Sequence, residues 1–372
     1  MKKVWKGKLL VYLGLALLVA IGAIHFNWLG GSSPALAAMT SEQINAALAK
    51  YKGSSFTIAS WGGTFQEAQR KAFFKPFSDK FGIKIIEDSP CENAKIVAMV
   101  KAKNVTWDVV DAGSYKVIPL GKAGILEELD YSIIDKRDVV PGFAQKWGIG
   151  NLSYSAILAY RTDAFPKGRE PSRIADLWDV KRFPGKRAIR DTPIENLAYA
   201  LEADGVPYDQ IYPLTEDKIK LAYRKLDELK PHVAVWWMQG AQAPQLLTDK
   251  EVVMATAMNG RIDALIDAGL PIKVVWDGAE LMGDSWLMPK GTKNRELAML
   301  FIAWATLPEN NWKLSKYISY GPVNKKAFQL VPKEKLHNIP TTFYEVQVPC
   351  DFEYWGEHFD KEFERWREWK LK

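Results

Sequence analysis

Trp147-Gly148-Ile149-Gly150-Asn151-Leu152-Ser153-Tyr154-Ser155-Ala156-Ile157-Leu158-Ala159-Tyr160 decides how this chain folds. To either side, extended runs are coupled to helices, but here the apolar run Ala156 to Tyr160 arrives with no helix before it. It reads as a strand crossing between two bodies. On the N-terminal side, Phe56 to Ser60 leads through Trp61-Gly62-Gly63-Thr64 into a helix ending near Phe81-Gly82, with Thr64 and Glu67 as a capping box. Ile83 to Glu87 follows as a strand, Ser89-Pro90-Cys91-Glu92 opens a helix with proline at its first position, and Trp107 to Asp111 is a third strand running into Ala112-Gly113-Ser114. On the C-terminal side come Arg187 to Asp191 with Thr192-Pro193-Ile194-Glu195 as a second capping box, Val233 to Trp237, and Glu251 to Ala257 before a helix from Asn259 to Gly269. Between them, Ile219, Ala222, Tyr223, Leu226 and Leu229 keep the 3.6-residue period of a one-sided helix from Thr215 to Leu229.

A second extended stretch, Asp284-Ser285-Trp286-Leu287-Met288-Pro289, interrupts the alternation again, and from Asn294 the chain reads as mostly helical. Strands alternating with helices predict mostly parallel sheets flanked by helices. Two such regions joined by two crossings predict an α/β protein of two lobes, the first built from both ends of the chain. The expected division is 1–37 as an export signal, 38–152 and 286–372 as the first lobe, and 153–285 as the second. A cleft between the lobes is the natural site.

The export signal rests on Lys2, Lys3, Lys6 and Lys8 ahead of an apolar run from Leu9 to Ile24, then Ser33-Pro34-Ala35-Leu36-Ala37 as a small-residue cleavage site. Cleavage is expected after Ala37, the alternative being an uncleaved anchor. The apolar run is short of the ~20 residues a spanning helix needs, so the expected product is a secreted, periplasmic monomer. Of 50 Lys+Arg and 44 Asp+Glu, those four lysines fall in the signal and no acid does, leaving 46 against 44. That balance gives no basic footprint for nucleic acid. Cys91 and Cys350 are the only cysteines; in an oxidising compartment they either bridge, tying the end of the chain to its start, or stay as two buried thiols. The bridge is the expectation.

Enzyme signatures are missing. Gly148-Ile149-Gly150 lacks the third glycine and following helix of a dinucleotide loop, and neither a phosphate loop nor a Gly-x-Ser-x-Gly elbow occurs. His232, His337 and His358 stand alone, without partners at metal-ligand spacing. No cofactor and no metal are expected. A secreted enzyme with a dispersed catalytic site is the alternative to a binding protein.

Ligands of open α/β sheets bind beyond the C-terminal ends of strands, and those ends are polar and aromatic here. They carry Trp61-Gly62-Gly63-Thr64, Asp111 and Ser114, Asp191, Trp236 and Trp237, and Met258 followed by Arg261. Gly62 and Gly63 before a helix expose N–H groups suited to a carboxylate or a water, or else make a plain helix-start turn. Trp147 and Trp286 sit at the crossings as candidate cleft walls, whereas Trp178, Trp304 and Trp312 fall at helical apolar positions and read as core. Glu195 is accounted for by its capping box.

In these residues the chain resembles extracellular solute-binding proteins of ABC importers, of the spermidine/putrescine-binding type. The resemblance rests on Ala59-Ser60-Trp61-Gly62-Gly63, Trp107-Asp108-Val109-Val110, Leu120 to Asp130, Phe183-Pro184-Gly185-Lys186-Arg187, Gly283 to Gly291 and Tyr320-Gly321-Pro322-Val323-Asn324, in that order over nearly the whole exported chain. It implies the type II periplasmic binding protein fold, closing by a hinge on a small ligand that is passed to a permease in the inner membrane. It also implies an amine-holding aspartate at Asp284. The tryptophan that such proteins carry two residues earlier is Met282 here, and their pair of acids at the helix starting near Thr192 is reduced to Glu195. Arg261 has no counterpart in polyamine binders. One cation and one anion suit an ω-amino acid such as 4-aminobutyrate better than a polyamine, unless Arg261 and Asp284 bridge each other or Arg261 turns outward to solvent.

Overall fold

The computed structural model describes residues 38–372; the export signal expected over 1–37 lies outside them. The described residues form one compact unit. The ten strands are β1 Ser55–Ala59, β2 Lys84–Asp88, β3 Val109–Gly113, β4 Ala144–Gln145, β5 Gly148–Arg161, β6 Arg187–Arg190, β7 Val233–Trp237, β8 Met254–Met258, β9 Ile272–Leu287 and β10 Val348–Pro349. They make a single sheet in the order β2-β1-β3-β9-β5-β8-β6-β7, with β4 beside β5 and β10 beside β9.

That order explains why Trp147 to Tyr160 broke the sequence pattern. β2, β1 and β3 are parallel, as are β8, β6 and β7, and the 14-residue β5 and 16-residue β9 run antiparallel between the two sets. A βαβ crossover needs a helix, whereas a strand passing between two sets does not. β5 is buried along its whole length. Its alternation serves two cores: Leu158 and Tyr160 join the large central cluster, while Ile157 and Ala159 pack on the opposite face with Ala188, Trp237 and Ile262. The register of β5 against β9 slips at Gly150/Leu152 and at Ala156/Leu158. The first slip coincides with Asn151.

Three local readings are corrected. The helix Gly63–Gln69 has Gly62, not Thr64, at its N-cap. Gly62 and Gly63 have φ of +72° and +59°, left-handed values that a Cβ opposes, so the turn itself needs both glycines. Gln66 Oε1, one turn on, accepts the Gly62 N–H at 3.0 Å, which leaves that donor satisfied within the protein. Next, a π turn at Arg70–Phe74 lies between this helix and Lys75–Phe81; it carries Ala72, Phe73 and Phe74 all inward. Pro90 precedes its helix, which spans Asn93–Lys101 with Glu92 as N-cap.

The expected bridge is also corrected: Cys91 and Cys350 are free, buried thiols. Cys91 belongs to the cluster of Ala59, Ile96 and Trp107 on one face of the β1–β3 set, whereas Cys350 follows β10 and belongs to the central core. Burial pushes both thiols up, with the nearby acids adding to the effect. Finally, the C-terminal helix Phe352–Leu371, assigned from sequence to the first lobe, touches both strand sets. Phe359 stacks on Tyr115 after β3, while Trp369 Nε1 donates to Asp227 Oδ1 at 2.7 Å and Arg365 pairs with Glu216 at 2.9 Å on the far set.

Candidate functional site

A cavity of about 210 Å³ opens where the two strand sets face each other across β9 and β5. Trp61 and Phe65 enter it from the glycine turn and its helix, Tyr154 from β5, and Asp284 from β9. Opposite them stand Arg190, Trp237, Met258 and Arg261, and Tyr320 closes one side.

Strand register puts these groups together. β6 pairs with β7 so that Arg190 lies beside Trp237, and the Arg190 guanidinium sits 5.8 Å from the centre of the Trp237 ring. Trp237 is held by its indole N–H on Thr256 O at 2.9 Å. Glu195 lies behind Arg190, wholly buried, with Oε1 3.5 Å from the guanidinium and Oε2 without a partner. Burial works against the charge on Arg190, but the field of Glu195 prevails and holds it firmly cationic. Burial raises the Glu195 carboxyl, and Arg190 pulls it back. The capping-box reading of Glu195 is therefore wrong; Thr192 alone caps that helix, accepting from Ile194 N at 3.3 Å.

Asp284 is 7% exposed and accepts the Trp61 indole N–H at 2.9 Å. Behind it Asp111 is completely buried and accepts from Gln69 Nε2. Burial, and then the charge of Asp284, drive the Asp111 carboxyl well above its ordinary range; burial also raises Asp284, to about 6, against the Trp61 bond and the charge of Arg190. Of the two acids, Asp111 is the one driven more strongly toward its protonated form, and Asp284 is the one that faces the cavity.

Arg261 is the third residue of the helix Asn259–Asp267, in its first turn. It packs against Gly240, where a Cβ would lie 2.8 Å from Nε. Among the described residues no ion pair joins Arg261 to Asp284; the latter's polar contacts are Trp61 and Asp111.

Of the other sequence candidates, Ser114 bonds Ser285 at 2.8 Å, Trp147 lies over Gly121, and Trp286 packs into the core against Phe73 and Phe301. Gly62 and Gly63 frame the turn, and Thr64 lines a neighbouring cavity. Asp191 and Trp236 are taken by the C-terminal helix: Asp191 accepts from Trp366 Nε1 at 2.7 Å and Lys370 Nζ at 2.6 Å, and Trp236 meets Trp366 and Trp369 edge-on. Phe65, Tyr154, Arg190 and Tyr320 were not anticipated. A signal for Arg190 existed: consecutive strand residues point to opposite faces, so Arg190 and Asp191 cannot both enter one cavity, nor can Trp236 and Trp237. No group of three His, Cys, Asp or Glu side chains among the described residues is placed to hold a metal.

A cleft between two parallel strand sets, spanned by two crossing strands and lined by aromatic rings with fixed charges of both signs, defines a two-lobe solute-binding protein. The chain belongs to the bacterial extracellular solute-binding protein family, whose model matches residues 72–341. It is 36% identical over 333 residues, 88% of this chain and 94% of the relative, to the gamma-aminobutyric acid-binding protein of Pseudomonas aeruginosa. The spermidine/putrescine-binding periplasmic protein of Escherichia coli is 26% identical over 69% of this chain and 75% of its own. An ABC transporter substrate-binding protein from Bradyrhizobium japonicum superposes with a TM-score of 0.81 at 35% identity, covering 85% of this chain and 99% of that one. The protein is the substrate-binding part of an ABC importer, with a small-molecule ligand and a membrane permease as its partners.

Proposed function

We propose that the protein binds 4-aminobutyrate or a close ω-amino acid in the 210 Å³ cavity, after export and cleavage of the 1–37 signal, and delivers it without turnover. The ammonium group sits on Asp284 between Trp61 and Tyr154; the carboxylate meets Arg261, with Arg190 as the second cation. One observation carries this reading: Asp284 and Arg261 line the same chamber and are not spent on each other. A diamine would bring two ammonium groups against two guanidiniums, and the P. aeruginosa relative's name agrees with the amino acid.

Truncating one partner of a buried charge pair costs ~2–5 kcal/mol, roughly 30- to several-thousand-fold in affinity. Calorimetry on the wild type, Arg261→Ala and Asp284→Ala tests the assignment. Arg261→Ala should abolish 4-aminobutyrate binding, and Asp284→Ala should weaken 4-aminobutyrate and putrescine alike. Tight putrescine binding that survives Arg261→Ala would make this a polyamine binder. Closure around β5 and β9 should lower the radius of gyration in small-angle scattering when ligand is added.

A further inference from the structure

A second cavity of about 420 Å³ adjoins the first and is twice its size. The two share Arg261, and three chain segments serve both with consecutive residues. Phe65 faces the inner cavity and Thr64 the outer; Gly240 is inner and Ala241 outer; Tyr320 is inner and Ser319 outer. The chambers are therefore parts of one cleft, divided at the Arg261 guanidinium. The inner chamber alone lies below the ~300–1,000 Å³ usual for drug-sized ligands, whereas the outer falls within it.

The outer chamber has its own chemistry. Its cations, Arg261 and Lys335, are matched by Asp263 and Asp267, so it favours neither sign. Asp263 is already satisfied, because Ser319 Oγ and Asn338 Nδ2 donate to its two oxygens. Thr248 Oγ1 donates to Pro244 O at 2.9 Å and keeps its own lone pairs free. Tyr317 is half exposed there and offers a ring face. Such walls suit a neutral, hydrogen-bonding group.

We propose that the binding site continues past Arg261 into the outer chamber, and that the protein accepts ω-amino acids carrying a neutral polar branch on the carbon next to the carboxylate. This rests on the reading that Asp284 takes the ammonium group and Arg261 the carboxylate, which directs that carbon's substituent outward.

A matched pair of ligands tests it. N2-acetylornithine is 5-aminopentanoate with an acetamido group beside the carboxylate, so calorimetry with both on the exported chain isolates the branch. The branched compound should bind about ten-fold tighter, the gain from one or two neutral hydrogen bonds. Ala264→Trp, an exposed helix position lining only the outer chamber, should erase that gain and leave 5-aminopentanoate within about two-fold of wild type. Thr248→Trp, from the facing wall, should do the same and covers the case in which the first variant fails to fold. Binding of 5-aminopentanoate with no gain from the branch, or a gain that survives both variants, overturns the two-chamber site alone. Failure of the wild type to bind 4-aminobutyrate or either matched compound overturns the amino-acid reading, and the outer chamber with it.

Discussion

Asp284 and Asp191 look alike from their immediate surroundings. Each accepts a tryptophan indole N–H, from Trp61 at 2.9 Å and from Trp366 at 2.7 Å, and each lies just beyond or within a strand of the sheet. They differ in what meets the second oxygen. Asp191 takes the Lys370 ammonium at 2.6 Å, from a helix 179 residues further along the chain. Asp284 meets an open cavity and, among the described residues, no cation, so its charge is still unspent. The same acid, with the same donor, ties down the C-terminal helix in one place and is free for a ligand in the other.

The largest effect that breaks the comparison is on binding. Asp284→Ala should lose ~2–5 kcal/mol of ligand affinity with little change in the melting temperature of the empty protein, because burial opposes the charge it removes and the Trp61 indole that donates to it is half exposed and can turn to water. Asp191→Ala should do the reverse. Losing the Trp366 and Lys370 bonds of a partly exposed acid should cost about 1–2 kcal/mol of stability, seen as a lower melting temperature, and Lys370→Met should fail to add fully to it. Equal loss of ligand affinity in both variants would erase the distinction.

Acidity sharpens the contrast further. The Asp284 carboxyl, at about 6, must be ionised to hold an ammonium group, so affinity should be level above pH 7 and fall by up to about ten-fold per unit below 6. Stability of the empty protein should move the other way. Asp284 and Asp111 both titrate higher in the folded state than in the unfolded chain, so between those values the native state binds more protons and is stabilised as pH falls. Calorimetry and thermal unfolding across pH 5–8 separate the two trends. The smallest effect concerns the thiols: the denatured, unreduced protein should titrate two, because Cys91 and Cys350 lie in different cores. Finding none would restore the bridge.

Much of the architecture was legible in the chain itself. The crossing at β5, the helix Glu216–Leu229 with its buried Ile219, Ala222, Leu226 and Leu229, and the polar strand ends all follow from periods of two or 3.6 residues. Trp61, Trp237, Met258, Arg261 and Asp284 were placed at the cleft and do line the cavity. What misled was proximity in sequence. Asp191 and Trp236 stand next to cavity residues but turn the opposite way, and Glu195 matched a capping box while its side chain went to Arg190 instead.

Sequence by itself determined the order of strands and helices and supplied an anion, a cation and aromatic rings near strand ends. These are local matters, since periodicity and turn chemistry act between residues a turn or two apart. Only the tertiary structure decided which of those groups share a chamber. That depended on contacts with no local trace: the β6–β7 register that sets Arg190 beside Trp237, the buried Asp111 behind Asp284, and the C-terminal helix that covers Asp191 and leaves Asp284 open.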